Sequence, residues 1–210
     1  MSRTLAAALL LLPALALGQA DVGVVDALSG EAIFIPQSGA AGRVTAFMKV
    51  REGDRFELKR GAELRLVYVE SARQERWAGP AAFRAGSKQS VPISGAAPAV
   101  AMLPPHVALK LGRVPELLRT AEMGGVQIRS SAPGAKAPRE TVEEARITYE
   151  KLRRDARPDD IAPELYLFSV LNEHKRYDEM AAVAATMRRK QPNSEAVRIL
   201  GTWSENVKKR

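Results

Sequence analysis

The spacing of apolar residues changes once along this chain of 210 residues, and no other feature constrains its fold as strongly. Residues 22–103 hold short β-rich runs that alternate apolar and polar positions, with turn signals between them. Residues 139–208 carry apolar side chains at steps of three and four, which is typical of helices. The sequence therefore predicts an α+β protein of two segregated domains, an all-β sandwich or barrel-like domain and then an all-α bundle of helical hairpins.

The same change sets the expected domain boundaries. We expect the β domain at 21–103 and the helical domain at 139–210, joined by a segment rich in Pro, Gly and Ala at 104–138. Prolines in this segment exclude a continuous helix or a central strand through it. Its predicted features are a short helix, a return to the sheet and a flexible connector, at 114–122, 126–129 and 130–138.

Period-two alternation predicts the strands of the β domain. The clearest run is 63–69, which places Leu64, Leu66 and Tyr68 on one face. The run 43–50 predicts a single strand by the same rule. Further strands are predicted at 22–28, 31–35, 73–77 and 81–85.

Four helices are predicted in the last region. Thr141 and Glu144 have the spacing of a capping box, which marks the start of the first helix. Asp159 and Asp160 form a carboxylate pair, which we interpret as helix-capping acids in an exposed loop. The predicted apolar stripes of the four helices begin at Val142, Ile161, Tyr177 and Val197.

Residues 1–20 have the pattern of a cleaved signal peptide. Arg3 supplies the positive charge, 5–17 is the apolar run, and small residues precede a cleavage point after Ala20. A membrane span needs about 20 apolar residues, so this run is too short to be a transmembrane anchor. We therefore expect a mature chain that begins at Asp21 and is periplasmic or secreted in a Gram-negative bacterium.

Composition excludes several kinds of chemistry. The chain has no cysteine, which excludes disulfides, thiolate metal sites and cysteine nucleophiles. Its two histidines, His106 and His174, lie far apart in sequence, and no common catalytic or nucleotide-binding motif is present. We therefore predict that the protein is not an enzyme, with no catalytic residue, cofactor or metal. Core packing is the expected role of Trp77 and Trp203.

Four motifs occur in a fixed order in the β region. They are Ser-Gly-Glu-Ala at 29–32, Glu-Gly-Asp-Arg at 52–55, an alternating strand at 62–68 and Gly-Pro-Ala-Ala-Phe at 79–83. In this order they resemble a FecR-type domain over 22–103. The resemblance implies a small all-β folding domain with no catalytic residues. FecR signal transducers cross the membrane by a helix, and none is predicted here, so the resemblance is to their periplasmic domain.

The helical part resembles a tetratricopeptide unit over about one 34-residue period. Tyr177 and Pro192 fall near that repeat's tyrosine and terminal proline, with Leu167 and Leu171 in its first helix. Helical repeats present surfaces to partners. We therefore expect a non-catalytic exported protein whose FecR-like and helical parts form a protein-interaction or scaffold and regulatory module in the cell envelope.

The alternative function is binding of an anionic cell-wall polymer or glycan by a basic β domain. The net charge is +8, and most of it lies before residue 139. Nucleic acid is not an expected partner, because the predicted export and the few aromatics do not fit one. A dispersed, solubilising surface is the other interpretation of this charge. The basic residues that could line one side of the β domain are Arg51, Arg55, Lys59, Arg60, Arg65, Arg73, Arg76 and Arg84.

Overall fold

A computed structural model describes residues 20–124 and 140–209. Its strands come first and its helices later, as the change in apolar spacing predicts. The strands are β1 (Asp21–Ser29), β2 (Ala32–Ile35), β3 (Gly42–Arg43), β4 (Lys49–Arg51), β5 (Arg55–Leu58), β6 (Glu63–Tyr68), β7 (Arg73–Ala78), β8 (Ala81–Ala85), β9 (Ser90–Ser94) and β10 (Ala99–Met102). The helices are α1 (Pro105–Gly112), α2 (Val114–Glu122), α3 (Val142–Asp155), α4 (Ala162–Glu173), α5 (Tyr177–Lys190) and α6 (Glu195–Lys208).

The strands form two antiparallel sheets that pack face to face. Sheet A has the order β10-β7-β6-β1-β4, and sheet B has the order β3-β2-β5-β8-β9. Phe83 of sheet B stacks on Trp77 of sheet A at a ring distance of 4.4 Å, and Leu64 and Leu66 are buried in the same cluster. The two sheets do not close into a barrel, so the barrel-like form of the prediction is wrong.

The single strand predicted over 43–50 is also wrong. The chain leaves sheet B after β3 and joins sheet A at β4, so it bends where a strand was expected. Phe47 sits in this crossing with a φ of 64°, is buried, and donates its backbone N–H to the Val25 carbonyl at 2.7 Å. Apolar residues alternate over 43–50 because the segment that crosses between the sheets is partly buried, and not because it pairs as one strand. The strands β5, β9 and β10 were not predicted.

The helices cover the outer face of sheet A. Val24 and Val67 point away from sheet B and join the apolar cluster that contains Leu111 of α1 and Leu165 of α4. Strands and helices are thus segregated along the chain but share one core in space. This explains why both faces of β6 are buried. Val67, on the helix side of this strand, is fully buried.

The segment after β10 is helical over much of its described length. The helix predicted at 114–122 is confirmed with the same bounds as α2, and α1 precedes it. Pro105 and Pro115 occupy the first turn of these helices, where a missing N–H costs nothing, so the prolines start two short helices. The predicted features at 126–129 and 130–138 and the predicted signal segment before residue 20 lie outside the described residues. In the described part of the chain, no helix is long and apolar enough to cross a membrane.

The four helices predicted after residue 139 are confirmed as α3 to α6. The capping box is present, since the Thr141 hydroxyl accepts from the Glu144 N–H at 3.2 Å and the Glu144 carboxylate accepts from the Thr141 N–H at 2.8 Å. All of Ala162–Leu171 in α4 is buried, because α3, α5, α1 and α2 all contact this helix. Helix α2 also covers α6.

Truncating the contact between α1 and sheet A should unfold the whole chain more easily. We expect Leu111→Ala to lower the free energy of unfolding by about 2–4 kcal/mol, because it leaves a cavity in the core shared by helices and sheet. Ile147→Ala, on the exposed face of α3, should change it by less than about 0.5 kcal/mol. Urea unfolding followed by far-UV circular dichroism and by tryptophan fluorescence measures both. Separate transitions from the two probes would contradict a shared core.

Candidate functional site

A buried ion cluster lies where sheet A meets the helices. Arg65 of β6 donates Nη1 and Nη2 to the two carboxylate oxygens of Asp160 at 2.5 and 2.6 Å, and Nε to Asp26 Oδ2 at 2.8 Å. Gln74 of β7 donates to the same Asp26 oxygen at 2.9 Å. Only 7% of the Arg65 side chain is exposed and 1% of Asp26. We call these four residues the Arg65 cluster.

The local structure of each strand and loop positions this cluster. The pairing of β1 with β6 shifts between Val25 and Ala27, so a bulge turns Asp26 to the helix side next to Arg65. Asp160 lies just before α4, and its Oδ1 accepts the Ala162 N–H at 2.9 Å as it binds Arg65. One carboxylate thus accepts a backbone N–H at the start of a helix and ties that helix to the sheet.

The two carboxyls of the cluster have opposite pKa shifts. Burial raises the pKa of Asp26 above its usual value, and the charge and hydrogen bond of Arg65 offset only part of this. Asp26 Oδ1 is buried with no partner among the described residues. Burial also raises the pKa of Asp160, but its hydrogen bonds to Arg65 and the charge of Arg65 outweigh that effect, so its pKa lies below its usual value.

Two cavities flank the Arg65 cluster. One, of about 150 Å³, lies toward Ser29 and Gln191. It is smaller than the roughly 300–1,000 Å³ of typical ligand sites, so it suits a few waters better than a ligand. The other, of about 340 Å³, lies between sheet A and α3 and opens to solvent. This second cavity reaches the size of a ligand site.

The larger cavity is part of a groove that we call the sheet–helix groove. Its sheet wall comes from β7 and β10 and its helix wall from α3, and its floor is mostly apolar but includes the buried Arg65–Asp160 pair. Leu152 and Pro163 belong to this floor. The wall residues are Gln74, Arg76, Ala101, Met102, Lys151 and Asp155.

The charges on the groove walls have no ion-pair partner in the part of the chain that the structure describes. Arg76 is directly opposite Arg65 in the pairing of β6 with β7, yet it has no ion-pair partner among residues 20–124 and 140–209. Lys151 and Asp155, one helical turn apart on α3, also form no ion pair within these ranges. The exposed wall therefore carries two cations and one anion without partners, which gives it a net positive charge.

A further cavity of about 400 Å³ lies between the region around β4 and α2. Lys49 and Glu116 form an ion pair across it at 2.6 Å, and Lys49 also binds Asp21 at 2.7 Å. These partners hold the pKa of Lys49 above its usual value. Because its lysine is already paired, this cavity is a weaker candidate than the sheet–helix groove.

The structure does not bring the predicted basic residues to one side. Arg65 is buried in its cluster, and Arg73 donates to the buried carboxylate of Glu75 at 2.7 Å between the sheets. Arg55 and Arg84 face each other on the outer surface of sheet B, while Arg76 lies on sheet A. The interpretation of a single basic side of the β domain is therefore wrong, and the charges are dispersed, because strand alternation divides these residues among several faces.

The acidic pair and the two histidines that the sequence singled out make contacts that stabilise the fold. Asp159 is exposed and pairs with Arg157, whereas Asp160 is buried and accepts the Ala162 N–H at the start of α4. The prediction of two capping acids in an exposed loop therefore holds only for the contact of Asp160 with α4. His106 Nε2 lies 3.6 Å from Glu140 Oε1, and His174 Nε2 lies 2.8 Å from the Glu140 backbone oxygen. Both histidines thus meet at one residue, which their separation in sequence concealed. The described residues contain no group of three or more His, Cys, Asp or Glu that could hold a metal.

Trp77 and Trp203 pack in the two apolar clusters, as predicted. Met180 and Met187 are buried in the helical core. Met102, which the sequence did not single out, borders the groove as a strongly exposed apolar residue. Its register opposite Arg73 places its side chain on the face of β10 that is turned toward sheet B.

No family model matches this chain, and it has no significant match among curated proteins or solved structures. The resemblance to a FecR-type domain therefore stays a prediction that depends on its four motifs.

Neutralising one carboxyl of the Arg65 cluster should weaken folding. We expect Asp160→Asn to lower the free energy of unfolding by about 3 kcal/mol at pH 7, because the charge that Arg65 binds is lost while the oxygen that caps α4 remains. Asp159→Asn should cost less than about 0.5 kcal/mol.

The same variant should change the acid side of the stability curve. The pKa of Asp160 is lowered by folding, so its contribution is present above about pH 4 and is lost as the pH falls through its folded value. Asp160→Asn should therefore lose less stability than the unaltered protein between pH 5 and pH 2 in urea unfolding. An equal acid slope in both proteins would contradict the role assigned to this carboxyl.

Proposed function

We propose that this protein is a non-catalytic, exported binding protein of the cell envelope that holds a partner protein in the sheet–helix groove. The observation that carries the proposal is the groove itself, which combines a cavity of about 340 Å³ with unpaired charges and an exposed apolar edge. Ligand sites are concave and mostly apolar with a few polar groups that fix orientation, and the lining of this groove has that composition.

The helical surface is a weaker binding region than sequence analysis expects. Helical repeats bind partners on extended concave surfaces. Two helices, α4 and α6, pack against α5 here. Helices α1 and α2 cover both of them, and α4 is buried over Ala162–Leu171. In this chain, α1 and α2 thus occupy the helical surface that a repeat protein leaves open for partners.

The alternative partner, an anionic cell-wall polymer or glycan, has less support. A polymer of repeated charge needs a continuous basic surface. The basic residues of the β domain are divided among several faces, and Arg65 and Arg73 are already paired with buried carboxylates. A protein segment needs only a few local contacts, which the groove supplies.

Export remains part of the proposal because the first residues have a signal-peptide pattern. Strand β1 begins at Asp21, so removal of residues 1–20 would leave every described strand complete. We expect intact-mass analysis of the protein from a periplasmic or culture-supernatant fraction to give a chain that begins at Asp21. Recovery of the uncleaved chain from the cytoplasm would contradict export.

Cross-linking from within living cells tests the binding site. A photo-reactive amino acid placed at Lys151, on the helix wall of the groove, should trap one reproducible envelope protein. The same amino acid placed at Arg84, exposed on the outer face of sheet B, should not trap it. Mass spectrometry identifies the trapped material.

Three results would oppose the proposal. Equal trapping from both positions would show that the groove is not the site. Capture of peptidoglycan or glycan alone would favour the alternative partner. A complete lack of adducts would contradict both a protein partner and a glycan partner in this groove.

A further inference from the structure

The outer edge of sheet A is an unpaired strand with an apolar surface. Among the described residues, β10 is the last strand of its sheet and pairs only with β7. Its four residues are all exposed, with 44% of Val100 and 66% of Met102 accessible. Exposed sheet edges are usually protected by charges, proline or bulges, because they pair readily with other chains. β10 contains none of these residues and pairs with β7 without a register shift.

The register shows which backbone groups of β10 are free. Leu103 donates its N–H to the Ala72 carbonyl at 2.9 Å, so this pair is of the hydrogen-bonded kind. Such pairs alternate along an antiparallel ladder, so Ala99 and Ala101 also bond to β7. The N–H and C=O groups of Val100 and Met102 therefore point away from the sheet.

The neighbouring edge strand, β9 of sheet B, differs from β10 because a proline interrupts its edge. β9 ends sheet B, but Pro92 lies in its middle and cannot donate a hydrogen bond. Compared with β9, β10 thus offers an edge that no proline interrupts, and that edge borders the sheet–helix groove through Ala101 and Met102.

Building on the proposed function, we propose that the partner contributes an extended segment that adds to β10 as a further strand and places an acidic side chain beside Arg76. A strand added at a sheet edge gains affinity from backbone hydrogen bonds and specificity from pockets for alternate side chains. Here the side chains on the helix side of the new strand would enter the groove between β10 and α3. Apolar ones meet the floor near Leu152, and an acidic one meets Arg76 and Lys151.

Charge decides the chemistry of this segment. The exposed walls carry Arg76 and Lys151 against Asp155, and none of them has an ion-pair partner among the described residues. A basic side chain in the groove would face two like charges, whereas an acidic one gains two opposite charges. The segment is therefore extended, apolar at alternate positions and acidic between them.

The test uses the full mature chain and a synthetic seven-residue peptide with blocked ends. Threonines alternate in it with valine, glutamate and valine, so that the last three share one face. Nuclear magnetic resonance of the isotope-labelled protein follows binding and amide exchange. We expect the peptide to slow exchange at the amides of Val100 and Met102, which have no partner in the part of the chain that the structure describes. Protection of these two amides before the peptide is added would overturn the proposal.

Two pairs of variants separate strand addition from other binding. Val100→Pro removes an N–H that faces solvent and should weaken binding about tenfold while the ladder to β7 remains. Val100→Thr keeps the N–H and should bind within about twofold of the unaltered chain. Arg76→Gln should weaken binding about two- to fivefold, as expected for an exposed ion pair, and Arg84→Gln should not.

Exchanging the peptide's glutamate for glutamine tests the pairing without altering the fold. It should weaken binding to the unaltered protein as Arg76→Gln does, and should cause no further loss in the Arg76→Gln protein. Binding that ignores the peptide's charge would overturn the assignment to Arg76.

The outcomes also distinguish this inference from the proposed function. If the peptide leaves Val100 and Met102 unprotected while the cross-linker at Lys151 still traps its partner, strand addition is wrong and the groove stays the binding site. If both fail, both proposals fall. If sedimentation shows a dimer that Val100→Pro converts to a monomer, the edge serves a second copy of this chain and the partner segment is excluded.

Discussion

Arg65 holds the two halves of this molecule in one arrangement. It lies on the outer face of sheet A, where the apolar core with the helices ends, and binds one carboxylate from the sheet and one from the loop before α4. A buried ion cluster adds little net stability, because removing three charges from water is costly. Its geometry is nonetheless specific, since the planar guanidinium meets Asp160 through two parallel hydrogen bonds. We infer that the apolar core supplies the attraction and Arg65 fixes the direction in which the helices leave the sheet.

The sheet–helix groove follows from this arrangement. The start of α4 is tied to β6, so α3, which precedes it, passes beside the edge of the sheet at a defined distance. Arg153 of α3 donates to the Asp160 carbonyl at 2.6 Å and to Glu164 at 3.1 Å, which connects this helix to the same loop. Arg157 adds an exposed ion pair to Glu63 of β6 at 2.8 Å. The groove therefore has walls that are fixed from behind by buried groups, which suits a binding site.

Local patterns predicted the elements of this fold much better than their assembly. The helices from Val142 onward follow from apolar spacing and from the capping box at Thr141, because these signals lie within a few residues of each other. The Arg65 cluster joins positions 26, 65 and 160, and no local pattern relates them. Arg65 was expected on an exposed basic face because alternation gives the side of a strand but not what covers that side.

The groove was missed for a related reason. The segment after Met102 was expected to separate two domains, so nothing in the sequence placed β10 beside α3. The run Ala99–Met102 is apolar and has no charge or proline, which in retrospect is the signal of an unprotected edge strand. Lys151 and Asp155 carried no signal, because polar residues on the open face of a helix are ordinary.

The relative placement of sheet and helices is the central claim, and a distance measurement tests it most directly. The chain has no cysteine, so spin labels attach only where cysteines are introduced. One label replaces Arg84 on the outer face of sheet B and the other replaces Arg154 on α3, both exposed. Pulsed electron spin resonance should give one narrow distance distribution, which Asp160→Asn broadens. A broad distribution in the otherwise unaltered protein would show that the helices move freely against the sheet, and would contradict the fixed groove.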